Sequence, residues 1–308
     1  MNDPRTLRPI EALAESGTLL NRRIWLILLP IGLDLFIWFA PRVLLGAELV
    51  PLVDGSATAV EAGADPETPT VLSFVRQSNL LSLILGVWVP SIGVSAAGDE
   101  SGTTVVLESF PQLILAFALL LPVSLALGST YLALIASEVQ QRTLTWEMLV
   151  PRVMRLTLRL AGLVGILLVV TVIPFTIASV MLSVIPLLGS LLFLLSMILL
   201  LWIVFYVFFI VDSIALVRQR LPKVIRLTLD LIHSNPWSAI GFFFLYWLIV
   251  FGTSIIWSVL LDLAIFGIGI GRIIATIGNA YVGTWVTIAV FMYVWNRLLT
   301  YREEPTSP

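Results

Sequence analysis

The sequence predicts an all-α, multipass transmembrane helical bundle of six spans, built around a duplicated span–amphipathic interfacial helix–span unit. Three observations carry this. Hydrophobic residues make up 59% of the chain and charged residues only 12%, about half the charge of an ordinary soluble domain. The apolar residues come in runs of about 20 or more, the length that crosses a hydrocarbon core of ~30 Å as a helix. One ten-residue pattern also occurs twice, PRVMRLTLRL at 151–160 and PKVIRLTLDL at 222–231, with seven of ten positions identical.

The spans are expected at about 24–45, 111–137, 160–184, 188–211, 238–262 and 278–298. Residues 1–23 read as a cytoplasmic segment rather than a cleavable signal. Arg5, Arg8, Glu11 and Glu15 precede Arg22-Arg23 there, and the apolar run that follows is of full spanning length. A seventh apolar stretch, 79–96, is short and interrupted by Pro90, which removes a helical hydrogen bond and clashes with the preceding turn.

Loop cations decide whether 79–96 crosses, because Lys and Arg gather on the cytoplasmic side. If it does not cross, 14 of the 17 Lys and Arg residues share one side, and only Arg42, Arg76 and Arg272 lie on the other. If it crosses, the sorting is lost. Residues 79–96 are therefore expected to be re-entrant or interfacial, within an outer region 47–110. Both termini, including the tail 303–308, are then cytoplasmic. The membrane domain is 24–302, with repeat units 111–184 and 188–262. The acidic, Gly- and Pro-rich loop 47–70 has too few large apolar residues for a core.

Placed on a helix, the first decapeptide puts Arg152, Arg155 and Arg159 on one stripe and Val153, Leu156 and Leu160 on the next. The second puts Lys223, Arg226 and Asp230 beside Val224, Leu227 and Leu231. Pro151 suits a first helical position, where its missing N–H costs nothing. This is the pattern of a helix at the cytoplasmic interface, apolar side to the acyl chains and cations to the headgroups. Each copy follows a span ending in a carboxylate, Glu138 or Asp212, and precedes another span. Two such units in the same orientation suggest a pseudo-two-fold axis along the membrane normal. The exits differ: Leu160 runs straight into its span, whereas HSNPW at 233–237 interrupts the second copy.

The stretch FFIVDSIALVRQRLPKVIRLTLDLIHSNPWSAIGFFFLYWLI at 208–249 resembles a bacterial family. So, more weakly, do SEVQQRTLTWEMLVPRVMRLTLRL at 137–160 and YVWNRLLTYR at 293–302. The family is the six-span membrane domain associated with glycerophosphoryl diester phosphodiesterases, here in its stand-alone form. The resemblance implies a bacterial cytoplasmic (inner) membrane. A catalytic barrel of about 250 residues has no room in the sequence, so no phosphodiesterase activity is expected.

The chemistry candidates are few. There is no cysteine, which excludes disulfides, thiolate metal sites and cysteine nucleophiles. His233 is the single histidine and cannot build a metal site alone; it reads as an interfacial side chain. GIGIGR at 267–272 imitates a phosphate loop but lacks the strand–loop–helix context, and reads as a turn. Gly128, Ser129 and Thr130, and Thr171, Thr176, Ser179 and Ser183, read as helix-packing positions, with a substrate path as the lesser alternative. Asp34 lies about 16 Å along the first span at 1.5 Å per residue, near mid-membrane. A carboxylate there is a functional candidate by default, against the reading that it satisfies backbone freed by Pro30.

The expected function is non-enzymatic, with no cofactor, no metal and no nucleic acid. A basic cytoplasmic collar of Arg152, Arg155, Arg159, Arg218, Arg220, Lys223 and Arg226 contacts anionic membrane lipid, in a lipid-organising or scaffolding role. The alternative is a small ion-coupled transporter using the space between the repeats, with Asp34 as its intramembrane ionisable group. An intramembrane enzyme ranks third, since neither paired carboxylates nor a Ser/His arrangement is visible.

Overall fold

The computed structural model describes residues 7–46, 79–92, 103–142, 145–261 and 270–303. The loop 47–70, residues 93–96 and the start of GIGIGR lie outside the described residues. The elements run α1 (Pro9–Arg22), a 3-10 turn (Ile24–Ile27), α2 (Leu28–Phe39), β1 (Arg42–Leu45), α3 (Leu80–Leu85) and β2 (Thr104–Leu107). They continue as α4 (Phe110–Val139), α5 (Trp146–Val184), α6 (Pro186–Leu216), α7 (Leu221–Ser234), α8 (Pro236–Leu261) and α9 (Ile270–Glu303). Helices α4, α5, α6, α8 and α9, of 26 to 39 residues, are long and apolar enough to cross a membrane. The protein is a multipass helical membrane protein. Rows of uncovered apolar side chains on α5 and α6, Leu187 and Leu201 among them, would be an aggregation hazard in water and are ordinary against acyl chains.

The first expected span, 24–45, takes a different form. Helix α2 stops at Phe39, because Ala40 precedes Pro41 and is pushed into extended backbone (φ −74°, ψ 151°). The next residues, RVLL, pair in parallel with TVVL of β2, Arg42 opposite Thr104 and Leu45 opposite Leu107. From Ile24 to Phe39 the apolar helical run rises about 24 Å, short of a full hydrocarbon core. The β-branched run Thr104-Val105-Val106, met by Val43 on the partner strand, is the signal for this pairing.

Two compact units make up the chain. One comprises Met1–Leu26, Ser129–Gly252 and Val282–Pro308; the other comprises Ile27–Gly128 and Thr253–Tyr281. Of the described cationic side chains, Arg42 and Arg272 belong to the second unit and twelve to the first.

In the first unit, α5 and α6 form a hairpin joined by Ile185 alone, with Pro186 opening α6. Gly189 makes the tight join possible: a Cβ there would fall 2.1 Å from the Leu182 Cα. Tyr293 of α9 stacks on Phe242 of α8 at 4.8 Å, and Tyr131 of α4 donates to Thr284 Oγ1 of α9 at 3.0 Å. The segment before the spans folds as well. Pro9 opens α1, and the Glu11 carboxylate accepts from the Arg8 N–H at 2.9 Å. Helix α1 docks on α9 through Leu7 N–H to Asn296 Oδ1 (2.8 Å) and Trp285 Nε1–H to the Leu13 carbonyl (2.8 Å). Sequence reading assigned residues 1–23 no such helix.

In the second unit, 79–92 holds the six-residue α3, then turns through Pro90. Six residues rise about 9 Å, too little to cross. Asn79 caps α3 by accepting from Leu81 N–H, and also accepts from Val43 N–H of β1, both at 3.1 Å. Leu45, Leu80 and Leu107 close a small core around this junction. Gly128 of α4 gives way to Trp88, whose Cβ lies 2.3 Å from where a glycine Cβ would stand.

Candidate functional site

The two decapeptides fold differently. The first is continuous with its span: α5 runs unbroken from Trp146 to Val184, about 58 Å at 1.5 Å per residue. Pro151 is its sixth residue, not its first. The start moves upstream because Thr145 has extended backbone (φ −89°, ψ 155°), its carbonyl accepts from the Met148 and Leu149 N–H groups, and Glu147 suits the first turn. The first copy is therefore not a separate interfacial helix. The second copy is one: α7 has Pro222 in its first turn and ends at Ser234, where Asn235 and Pro236 interrupt the backbone. Val224, Thr228, Leu231 and Ile232 are buried, while Lys223 and Arg226 are exposed.

The arginines of the first copy meet the end of α6. The last turn of a helix leaves carbonyls without intrahelical donors and carries partial negative charge. Three consecutive carbonyls there take side-chain donors. Ala215 O accepts from Arg152 Nη2 (3.4 Å), Leu216 O from Gln140 Nε2 (2.9 Å) and Val217 O from Arg159 Nη1 (2.9 Å). Arg155 bonds back to the Pro151 carbonyl through Nε at 3.3 Å. Together with Arg218 these groups line a cleft of about 260 Å³ with no carboxylate in its wall. Arg142 and Arg218 both act on Arg152 as like charges. Each guanidinium has five donors, so Arg152 and Arg159 keep N–H groups beyond those that cap α6. Among the described residues, Arg155 and Arg218 pair with no carboxylate.

Four of the seven expected collar residues, Arg152, Arg155, Arg159 and Arg218, thus share one cleft. Arg220 flanks the start of α7 and, like Lys223 and Arg226, is exposed and outside that wall. Gln140 was not singled out from sequence; its signal is the polar run QQR directly after the apolar α4.

Asp34 belongs to the other unit and is fully buried. Its Oδ1 accepts from Ser91 Oγ at 2.5 Å and from Ile92 N–H at 3.0 Å, with Oδ2 at 3.3 Å from the same N–H. The carboxylate holds the backbone just after Pro90, where regular hydrogen bonding has failed. Asp212, which sequence reading noted only as a span-ending carboxylate, is also buried, and interacts electrostatically with Tyr131 and Tyr246. His233 is exposed, its Nδ1 3.1 Å from the Leu229 carbonyl. The hydroxyls of Thr171, Thr176, Ser179 and Ser183 donate to carbonyls three or four residues back in α5 itself, so they are satisfied locally and need no path between helices. No group of three or more metal-ligating side chains occurs among the described residues.

Compared with known proteins, the chain matches no family model, no curated protein and no solved structure.

Proposed function

We propose that this is a non-enzymatic protein of a bacterial cytoplasmic membrane that holds anionic lipid headgroups at a basic cytoplasmic collar, in a lipid-organising or scaffolding role. The observation that carries the reading is the carboxylate-free arginine cleft at the end of α6. Its volume suits a phosphate group rather than a whole sugar headgroup, being below the 300–1,000 Å³ of a small-molecule pocket. Each cation near an anionic leaflet contributes about 1 kcal/mol, and Arg220, Lys223 and Arg226 extend the basic surface along α7. The gathering of twelve described cationic side chains into one compact unit supports a single cytoplasmic face and cytoplasmic termini. In this reading the run from Ile24 to Phe39, a few ångströms shorter than the hydrocarbon core, is a sixth span met by local thinning of the bilayer, and 111–184 and 188–262 are diverged copies of one unit. The resemblance to the membrane domain of glycerophosphoryl diester phosphodiesterases belongs to the same proposal.

The test separates binding from folding. Arg155 and Arg218 make no bond to α6, so the R155Q/R218Q double variant keeps the helix end capped. In mixed-lipid nanodiscs the wild-type protein enriches phosphatidylglycerol over phosphatidylcholine, and the variant loses most of that enrichment. Full retention by a variant that also carries K223Q and R226Q refutes the collar.

A small ion-coupled transporter is the second reading, and the observation that favours it is Asp212. A buried carboxylate in a membrane helix is a candidate ion or proton site. Ion flux into liposomes that is present with wild type and abolished by Asp212→Asn would replace the collar reading with this one.

A further inference from the structure

A second, larger cleft in the same compact unit is formed by α1, the end of α4, the start of α5 and α9, and has a volume of about 930 Å³. Its lining combines an apolar part, Leu19, Leu134, Leu149 and Met292, with charges of both signs. Arg23 and Glu138 answer each other at 3.2 Å. Three further charges in the wall, Glu15, Arg22 and Arg142, have no side-chain partner among the described residues.

The spacing explains why Glu15 and Arg22 do not pair. Seven residues on one helix put them on the same face two turns apart, about 10.5 Å along the axis. A ligand that touches both through hydrogen bonds of ~2.8 Å needs opposite charges of its own, held a short distance apart. An ammonium and a phosphate joined by a two-carbon bridge meet that requirement. A purely anionic headgroup would be repelled by Glu15, and a simple cation by the arginines.

The aromatic part of the lining fits the same ligand. Trp25 and Trp146 form it, at 40% and 81% exposure, and indole rings settle at the membrane–water boundary. Gln141, also in the wall, has φ of +53°. It closes α4 through Gln141 N–H to Glu138 O (3.0 Å) and Arg142 N–H to Ser137 O (2.9 Å), the Schellman pattern that usually takes glycine. That closure turns Arg142 back on the end of α4.

We infer that this cleft is a binding site for a zwitterionic aminophospholipid, its ammonium on Glu15, its phosphate on Arg22 and Arg142, and an acyl chain along Leu19, Leu134 and Leu149. This goes beyond the collar, which selects anionic over zwitterionic lipid and uses different residues. The experiment uses full-length protein in phosphatidylcholine nanodiscs doped with either phosphatidylethanolamine or phosphatidylglycerol. Lipid retained after detergent extraction is counted by mass spectrometry. Phosphatidylethanolamine should be retained about tenfold over phosphatidylcholine, the factor expected of one charge-assisted hydrogen bond. E15Q, on an exposed turn of α1, should erase that preference, while R155Q/R218Q leaves it intact. A bulk-filling second variant, Leu134→Trp, should also erase it. The proposal is overturned if phosphatidylethanolamine is not enriched by wild type, if E15Q keeps the preference, or if R155Q/R218Q removes it. None of these outcomes depends on whether phosphatidylglycerol binds the collar.

Discussion

Replacing Asp34 tests whether an intramembrane carboxylate holds backbone or carries ions. The donors its oxygens accept from include Ser91 Oγ–H and the N–H of buried Ile92. A hydrogen bond to a charged group contributes about 1.5–3 kcal/mol, and a buried N–H stripped of its acceptor costs about 1–3 kcal/mol. The Ser91 hydroxyl can rotate to another acceptor, whereas the Ile92 N–H is fixed by the turn after Pro90. Asp34→Ala should therefore destabilise by roughly 3–5 kcal/mol. Asp34→Asn keeps an oxygen at the Oδ1 position, which serves both of these donors, and of these contacts gives up the longer one at 3.3 Å. Its cost should be about 1 kcal/mol or less. Equilibrium unfolding in mixed micelles of a mild detergent and SDS reads the difference directly. Equal losses for the two variants would refute the assignment, because charge and not acceptor geometry would then be what the site requires. Ion flux present in wild type and lost in the well-folded asparagine variant would refute it as well.

Three further outcomes follow from backbone geometry. Gly189→Ala should cost more than about 3 kcal/mol, since its Cβ meets Leu182 backbone rather than a movable side chain. Gly165→Ala, with nothing within 4 Å, should stabilise by about 0.5–1 kcal/mol; thermal unfolding in detergent distinguishes them, and similar shifts would refute the one-residue hairpin. Gln141→Gly should raise stability by about 0.5–1 kcal/mol, because the left-handed conformation costs other residues 1–2 kcal/mol and glycine returns part of that as unfolded-state entropy. Arg159→Gln should lose about 1–2 kcal/mol with its bond to Val217 O, while Arg226→Gln, on the exposed face of α7, should change stability by less than 0.5 kcal/mol. Equal effects at these two arginines in the same melting assay would refute the capping role.

The long apolar helices were legible because length and composition determine them. The expected spans 111–137, 160–184, 188–211 and 278–298 each fall inside one helix. So does 238–261 of the fifth. The turn near 185 was visible in Pro186 and Gly189. What sequence missed has physical reasons too. Residues 24–45 look like one apolar run, yet Pro41 and the pairing of 42–45 with 104–107 outweigh hydropathy, and that pairing joins segments far apart in the chain. Helix α1 was hidden because its burial depends on Trp285 and Asn296, more than 270 residues away. The cation stripe of 152, 155 and 159 was correctly placed on one face of a helix. Its partners were not, since nothing local to 151–160 says that the end of α6 lies against it.

That last point changes what the duplicated decapeptide means. In a symmetric pair, both copies would present their cations to the lipid in the same way. Here Arg152 and Arg159 are committed in part to the carbonyls at 215 and 217, which lie just before the second copy begins. One copy thus fastens the helix that leads into the other. The counterpart of Arg159 in the second copy is Asp230, whose carboxylate could not donate to a helix C-terminus. The exchange of Arg for Asp at the ninth position is therefore the chemical mark of the asymmetry. Asp230→Arg should increase anionic-lipid enrichment in nanodiscs without raising stability, because α7 has no carbonyls of α6 to hold. A rise in stability comparable to the loss in Arg159→Gln would mean that the two copies are equivalent caps, and that the arginine cleft is one of a pair.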